Sequence, residues 1–360
     1  MHHGKSGKLL NKKFWKGKNV LVTGHTGFKG TWVSQLLVEL GANVSGLSLA
    51  NAPSKPCLFN LLEFDNNLVD FRGDITNLKT CVKAIKNSNP DILIHMAAQP
   101  LVRLSYQQPI LTYNTNIMGT VNILESVRNF DSIKAILIVT SDKCYKNTES
   151  GKFFDETSTL GGDDPYSSSK ACVEHISMAY YKSYFSLKNI GLATARAGNV
   201  IGGGDWSKDR LIPDIIKAWT KNESVIIRSP NAIRPWQHVL EPICGYLKLI
   251  ELLYNESKKF SGAWNFGPDQ NKIKSVLETV KMLQKLWSGK SKTKTQIDNL
   301  LYEANILKLD NTKMKKQLGI KPKMSFEDAL NNTIQWYEAY YDKRDIKYVT
   351  YRQTIDYISS

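Results

Sequence analysis

Three groups of residues in this chain have types and spacings that can do chemistry. Tyr166 and Lys170 lie four apart in Tyr166-Ser-Ser-Ser-Lys170, directly behind Asp164-Pro165. A carboxylate at the N-cap followed by proline at the first helical position opens a helix, so the pair shares one helical face. A phenol titrates at about 10 unaided, and a neighbouring ammonium favours its phenolate, making Tyr166 a candidate base. The second group, Thr140-Ser141-Asp142-Lys143, closes an apolar run. Ser141 is suited to hold a substrate hydroxyl. Once a hydroxyl is oxidised to a ketone the adjacent C–H becomes acidic. Asp142 as acid and Lys143 as base then supply what a loss of water requires. The third group is Gly24-His-Thr-Gly27-Phe-Lys-Gly30, whose glycine spacing lets a backbone turn approach a pyrophosphate at a helix N-terminus.

These groups need elements to hold them. Apolar strands are expected at Lys18–Thr23, Ala42–Leu49, Leu68–Phe71, Ile92–Met96, Ala135–Thr140 and Gly191–Arg196, with helical patterns between them. Strand–helix alternation predicts an α/β fold built on a doubly wound parallel sheet of the Rossmann type, with active residues at strand carboxyl ends. On that fold Gly24, Thr26, Gly27, Phe28, Lys29 and Gly30 line the dinucleotide, and Asp74 and Ile75 face its adenine. Ala97, Ala98 and Gln99 flank the nicotinamide ribose, beside Tyr166 and Lys170. The expected cofactor is NAD. The end of the second strand, Gly46–Asn51, carries neither an acidic residue for a ribose hydroxyl nor an obvious arginine for a 2′-phosphate. Later, Glu241–Leu253 reads as a helix returning to the sheet and Ala263–Pro268 as a strand near its edge. Ser275–Tyr341 reads as mostly helical, Gly289–Thr295 as a basic surface loop, and the tail after Asp342 has no assigned role.

Composition narrows the class. The chain has 360 residues, with 42% hydrophobic and 22% charged content, as in soluble globular proteins. No apolar run is long enough to span a membrane and no secretory signal precedes Asn11, so a cytoplasmic location is expected. Five dispersed cysteines without a C-x-x-C pair read as reduced thiols, Cys144 as a packing residue, and no metal site is expected. His2 and His3 read as part of a free terminus. The net charge of +15 is spread over scattered lysines without an arginine-rich, aromatic-interleaved stripe, which argues against a nucleic-acid partner. A general positive field still favours an anionic nucleotide substrate.

Five stretches carry a family resemblance: Thr23–Gly30, His95–Tyr106, Thr140–Tyr145, Arg196–Trp206 and Ile233–Val239. Through them the chain resembles the extended short-chain dehydrogenase/reductase family of sugar-nucleotide epimerases and dehydratases, from about Phe14 to about Tyr340. Within it the chain is similar to the CDP-glucose 4,6-dehydratase type. Related dehydratases carry Asp-Glu or Ser/Thr-Glu at the positions of Asp142-Lys143, and the lysine is what the CDP-glucose type has. The resemblance implies NAD-dependent C4 oxidation, loss of water across C5–C6 and hydride return to C6. It implies a cofactor domain at 14–196 with returning segments at about 240–268. A smaller, mostly helical substrate lobe follows at 197–239 and 269–341, with terminal extensions at 1–13 and 342–360. Arg103, Asn199, Arg210 and Arg234 are expected to contact the substrate, the arginines being suited to its diphosphate. His238 reads as a structural hydrogen-bonder, and Glu303 and Lys308 fall in a family-like stretch. A homodimer or homotetramer through helices of the cofactor lobe is implied. Two other readings stand beside this one: a 4-epimerase or dehydratase of another nucleotide sugar, and a non-catalytic NAD-sensing or RNA-binding protein on the same fold.

Overall fold

In the computed structural model, which describes residues 9–269, 273–296 and 304–360, seven strands form one sheet. They are β1 (Asn19–Thr23), β2 (Asn43–Ser48), β3 (Leu68–Arg72), β4 (Ile92–His95), β5 (Ala135–Val139), β6 (Gly191–Ala197) and β7 (Gly262–Phe266). Their order is β7-β6-β5-β4-β1-β2-β3, and every ladder is parallel. Both faces are covered, so the central strands are buried throughout instead of alternating: β4, β5 and β6 are buried along their whole length, with His95, Thr194 and Arg196 as their buried polar members. The period-2 pleat deals these residues to two cores. Val20 and Val22 join Trp32 and Val33 of α1 (Phe28–Glu39) on one side. Leu21 joins Ile85 of α2 (Leu78–Ser88), Ile123 of α3 (Gly119–Arg128) and Val173 of α4 (Pro165–Tyr180) on the other. The order of winding reverses between β1 and β4, which opens a crevice at the strand carboxyl ends.

Beyond β6 the chain forms α5 (Leu211–Thr220), α6 (Leu240–Asn255), α7 (Val276–Leu286), α8 (Phe326–Tyr341) and α9 (Ile346–Ser359). The α6 helix packs on β5 and β6, and β7 pairs with β6 at the sheet's edge, as the sequence pattern led one to expect. Two expectations need correction. Within the basic segment Gly289–Thr295, Lys292–Thr295 is a strand that pairs in parallel with Ser224–Ile227. Alternating Lys and Thr suits a half-exposed strand, and the Trp219 indole N–H donates to the Lys292 carbonyl at 3.0 Å. The tail after Asp342 is also ordered: Asp345 caps α9 by accepting from the Tyr348 N–H, and Thr350, Thr354 and Tyr357 are buried. His2, His3 and Glu303 lie outside the described residues. Among the described residues no helix is long and apolar enough to cross a membrane.

Candidate active site

The β1–α1 turn has the shape of a phosphate cradle. Gly24 sits at φ +76°, and a Cβ there would stand 2.7 Å from the Ala97 nitrogen, so only glycine fits between β1 and β4. A Cβ on Gly30 would collide with the Gly24 carbonyl, which fixes how closely α1 approaches the turn. Gly27 caps the twelve-residue α1 without any side-chain hydrogen bond, leaving the helix's first N–H groups for a ligand anion. Thr23 Oγ1 accepts from the Met96 and Ala97 N–H groups at 3.2 Å each and so ties the two strand ends that flank the crevice. These residues fit a dinucleotide.

The cradle's outer side is built differently from the sequence expectation. No acid ends β2; His25 fills that place, its Nδ1 2.9 Å from Ser48 Oγ and its Nε2 3.0 Å from Asp70 Oδ1 of β3. Burial pushes His25 down to about 4, against the pull of Asp70, so the ring is neutral. Arg72 of β3 donates to Asp70 Oδ2 and to the Leu49 carbonyl, so an arginine does lie beside the end of β2, already neutralised by Asp70. Asp74 is exposed, with Oδ1 accepting from the Thr76 N–H, and Ile75 is buried beside it. Ala97 and Ala98 are half-buried at the crevice. Gln99 spends its side-chain amide internally, on Leu101 and Thr112.

Tyr166, Lys170, Ser141, Asp142 and Lys143 meet where β5 ends. Asp164 Oδ1 accepts from the Ser167 N–H at 2.9 Å and Pro165 opens α4, which aims Tyr166 at that strand end. Burial pushes the Tyr166 phenol up to about 12; a hydrogen bond with Ser141 and the Arg210 cation pull the other way. Burial pushes Lys170 down to about 8, with Lys29 adding to the effect and Glu174 opposing it. Lys170 Nζ reaches the Val139 carbonyl at 3.4 Å. Ser141 Oγ donates to Asp142 Oδ1 at 3.0 Å and accepts from the Lys143 N–H at 3.2 Å. Asp142 is 3% exposed and burial raises its carboxyl above the usual range; its Oδ2 is buried without a hydrogen-bond partner. Lys143 is half-buried beside it. Cys144 is buried and its thiol pushed well up, which suits packing and not nucleophilic attack.

One cleft gathers the substrate residues singled out from the sequence and, Lys170 apart, the catalytic ones. Ser141, Asp142, Lys143, Tyr166, Phe28 and Lys29 line it together with Arg103, Asn199, Arg210 and Arg234. It encloses about 1780 Å³, including its open mouth. Burial pushes Lys29 down to about 8, helped by Arg210 and opposed by Asp142 and Asp205. Arg210 is held by Asp205 Oδ2 at 2.9 Å, and Asp205 follows the Gly202–Gly204 turn. His238 is buried and accepts from the Leu240 N–H. Sequence reading missed Asn116, whose amide bridges Ser169 of α4 and the Gln99 backbone. It also missed Arg228, a cleft-lining arginine paired with Asp209, while Asp205 lay inside a family-like stretch without a role of its own. An Asn within a helical run and an Asp after a glycine turn were visible, but neither spacing names a ligand.

With this geometry in hand, relatives can be compared. A family model described as GDP-mannose 4,6 dehydratase matches residues 21–333. The CDP-glucose 4,6-dehydratase of Salmonella typhimurium is 46% identical over 357 residues, spanning 98% of this chain and 99% of that protein. Among solved structures, the dTDP-glucose 4,6-dehydratase of Bacillus anthracis in complex with NAD aligns at TM-score 0.76 and 23% identity, covering 92% of this chain and 100% of that one. The epimerase Mth375 of Methanothermobacter thermautotrophicus aligns at TM-score 0.81 and 20% identity, covering 94% and 98%. These two likenesses concern the fold. The family follows from the match over residues 21–333 and the 46% identity along nearly the whole length: the chain belongs to the GDP-mannose 4,6 dehydratase family.

Proposed function

We propose that this protein is an NAD-dependent 4,6-dehydratase of CDP-glucose, yielding CDP-4-keto-6-deoxyglucose. The observation that carries the reading is the buried Asp142 carboxyl, with one oxygen unpartnered, in the same cleft as Tyr166. An oxidising tyrosine alone serves a dehydrogenase or an epimerase; a buried carboxyl beside it, raised above the usual carboxylate range, serves elimination as a proton donor. The CDP-glucose dehydratase relative and the lysine at position 143 support CDP-glucose as the sugar nucleotide.

NAD, when bound at the turns around Gly24 and Gly27, would supply the hydride acceptor for oxidation at C4 and the hydride for C6. Tyr166 takes the proton of the C4 hydroxyl, which Ser141 holds, and the Lys170 ammonium favours the phenolate that does so. Lys143 places its amine on the cleft wall where the acidified C5 proton must leave. Asp142 donates its proton to the departing C6 hydroxyl, and burial is what keeps that proton available. Arg210 and Arg234 bind the diphosphate, Asn199 and Arg103 orient the sugar nucleotide, and the turns around Gly24 and Gly27 hold the cofactor's pyrophosphate. We take residues 14–196, with 240–268, as the cofactor domain and 197–239 with 269–341 as the substrate lobe. A homodimer or homotetramer through helices of the cofactor lobe is supported by exposed apolar residues on Pro109–Met118, and a cytoplasmic location by five free cysteines.

The test is incubation of the protein and NAD with CDP-glucose, dTDP-glucose, UDP-glucose and GDP-mannose in parallel, read by mass spectrometry. Loss of one water chiefly from the CDP sugar is expected. Conversion without mass change means epimerisation, and water loss only from another nucleotide sugar means a different substrate; either result refutes the assignment.

A further inference from the structure

The oxidation pair stands on α4 and its serine partner on the turn after β5. One buried side chain joins these elements beneath the cleft. Glu174, one helical turn beyond Lys170, is 1% exposed. Its Oε1 accepts from Thr140 Oγ1 at 2.5 Å; its Oε2 accepts from Thr194 Oγ1 at 2.6 Å and from Arg196 Nη2 at 2.8 Å. Thr140 immediately precedes Ser141, and Thr194 and Arg196 belong to β6. Arg196 Nη1 continues outward to the Tyr145 phenol at 2.8 Å, which donates to Asn265 Oδ1 on β7. Three donors converge on one carboxylate. An amide in its place has a single acceptor oxygen and turns an NH₂ toward one of those donors, so the group's identity as a carboxylate is specified by the site.

We propose that Glu174 is a positioning residue of the oxidation step, locking the Ser141 end of β5 to α4 and supplying the negative charge that faces the Lys170 ammonium. This rests on the reading of Tyr166 and Lys170 as the oxidation pair. Lys29 from α1, His95 from β4 and Cys144 from the turn after β5 face Lys170 besides Glu174 on its own helix. Lys29 disfavours the ammonium. Burial pushes His95 down to about 3 and Cys144 well up, which keeps both neutral. Glu174 is the one carboxylate among these four groups, and it is the group that offsets the burial of Lys170.

The sign of its loss follows. Without the Glu174 charge Lys170 gives up its proton at lower pH, and the step that needs the ammonium fails earlier as pH rises. The experiment compares full-length E174Q, T140V and T194V with the parent protein. It uses the pH profile of kcat with CDP-glucose and NAD, and titration of Lys170 by isotope-labelled lysine NMR in the cofactor-free protein. E174Q is expected to move both the alkaline limb and the lysine titration about one pH unit lower, with KM for CDP-glucose little changed. T140V and T194V, which remove a hydrogen bond and no charge, lower kcat without moving either. Should E174Q fail to fold, E174Q/R196Q removes the buried ion pair together; loss of the Arg196 cation offsets part of the effect, so a smaller movement in the same direction is expected. A limb and a titration that stay in place in the foldable glutamine variant overturn the proposal and leave Glu174 a packing residue. If the parent protein does not convert CDP-glucose, the functional reading fails instead, while the NMR titration still reports on Glu174.

Discussion

At the scale of residues, the division of labour at the end of β5 makes sharp claims. Asp142→Asn keeps the size of the side chain and its contact with Ser141 but removes the proton donor. Oxidation of C4 should persist while water loss falls by about 10²–10⁴-fold, measured as NADH build-up against product mass. Tyr166→Phe should suppress both, because nothing is eliminated before the ketone exists. The pH dependence has its own sign. Lys170 is held down at about 8, so its ammonium is complete well below that pH and is lost as pH rises through it. The oxidation rate should fall on that alkaline side, and Lys170→Arg, which stays charged, should abolish the fall even if it lowers the plateau. A retained limb in the arginine variant would assign it to another group. Tyr166, Ser141 and Asp142 were legible in the sequence because helix periodicity and strand ends fix where such residues point. His25 and Asp70 were not, because a pair 45 positions apart is brought together only by the pairing of β1 with β2 and of β2 with β3.

At the scale of elements, apolar runs foretold the strands closely, since a doubly covered parallel sheet leaves no polar alternation to confuse them. The Lys292–Thr295 strand was illegible for the opposite reason: its residues are charged, and only its partner Ser224–Ile227 makes it a strand. The α9 helix was likewise missed, and its contacts give it a role. Thr350 Oγ1 accepts from the Trp336 indole N–H at 2.9 Å. Trp336 of α8 packs edge-on to Trp206 and fills the space above Gly203, where any Cβ would strike its ring. Next to it the Tyr337 hydroxyl donates to the Asp205 carbonyl, and Asp205 holds Arg210 in the cleft. The terminal helix thus braces the loop that presents Arg210. Thr350→Val leaves a buried indole N–H unpaired, a cost of about 1–3 kcal/mol. The loss should appear as a raised KM for the nucleotide sugar, with kcat and cofactor binding nearly intact. A change confined to thermal stability, with KM unmoved, would reduce α9 to a packing helix.

At the scale of the whole molecule, the doubly wound parallel sheet followed from strand–helix alternation, while the strand order comes only from the pairing of the strands. What no monomer sequence reveals is which surface is left for a second copy. The run Pro109–Met118 packs on α4 by one side and turns Ile110, 83% exposed, with Leu111, Tyr113 and Met118 outward. Isolated apolar residues at a surface are ordinary, but four within nine positions beside the helix that carries Tyr166 form a patch of the kind an isologous dimer covers. If that patch is the interface, the two copies of α4 lie near the symmetry axis and each cleft opens away from it. Ile110→Lys tests this directly. The residue is too exposed to support the monomer's core, so its replacement should leave the melting profile of the fold in place. A buried lysine on each side of a two-fold contact should instead drive the sedimentation coefficient from that of an oligomer to that of a single chain. If the parent protein sediments as a monomer, or the lysine variant keeps the parent's assembly, the exposed run is ordinary surface and the oligomer must form elsewhere.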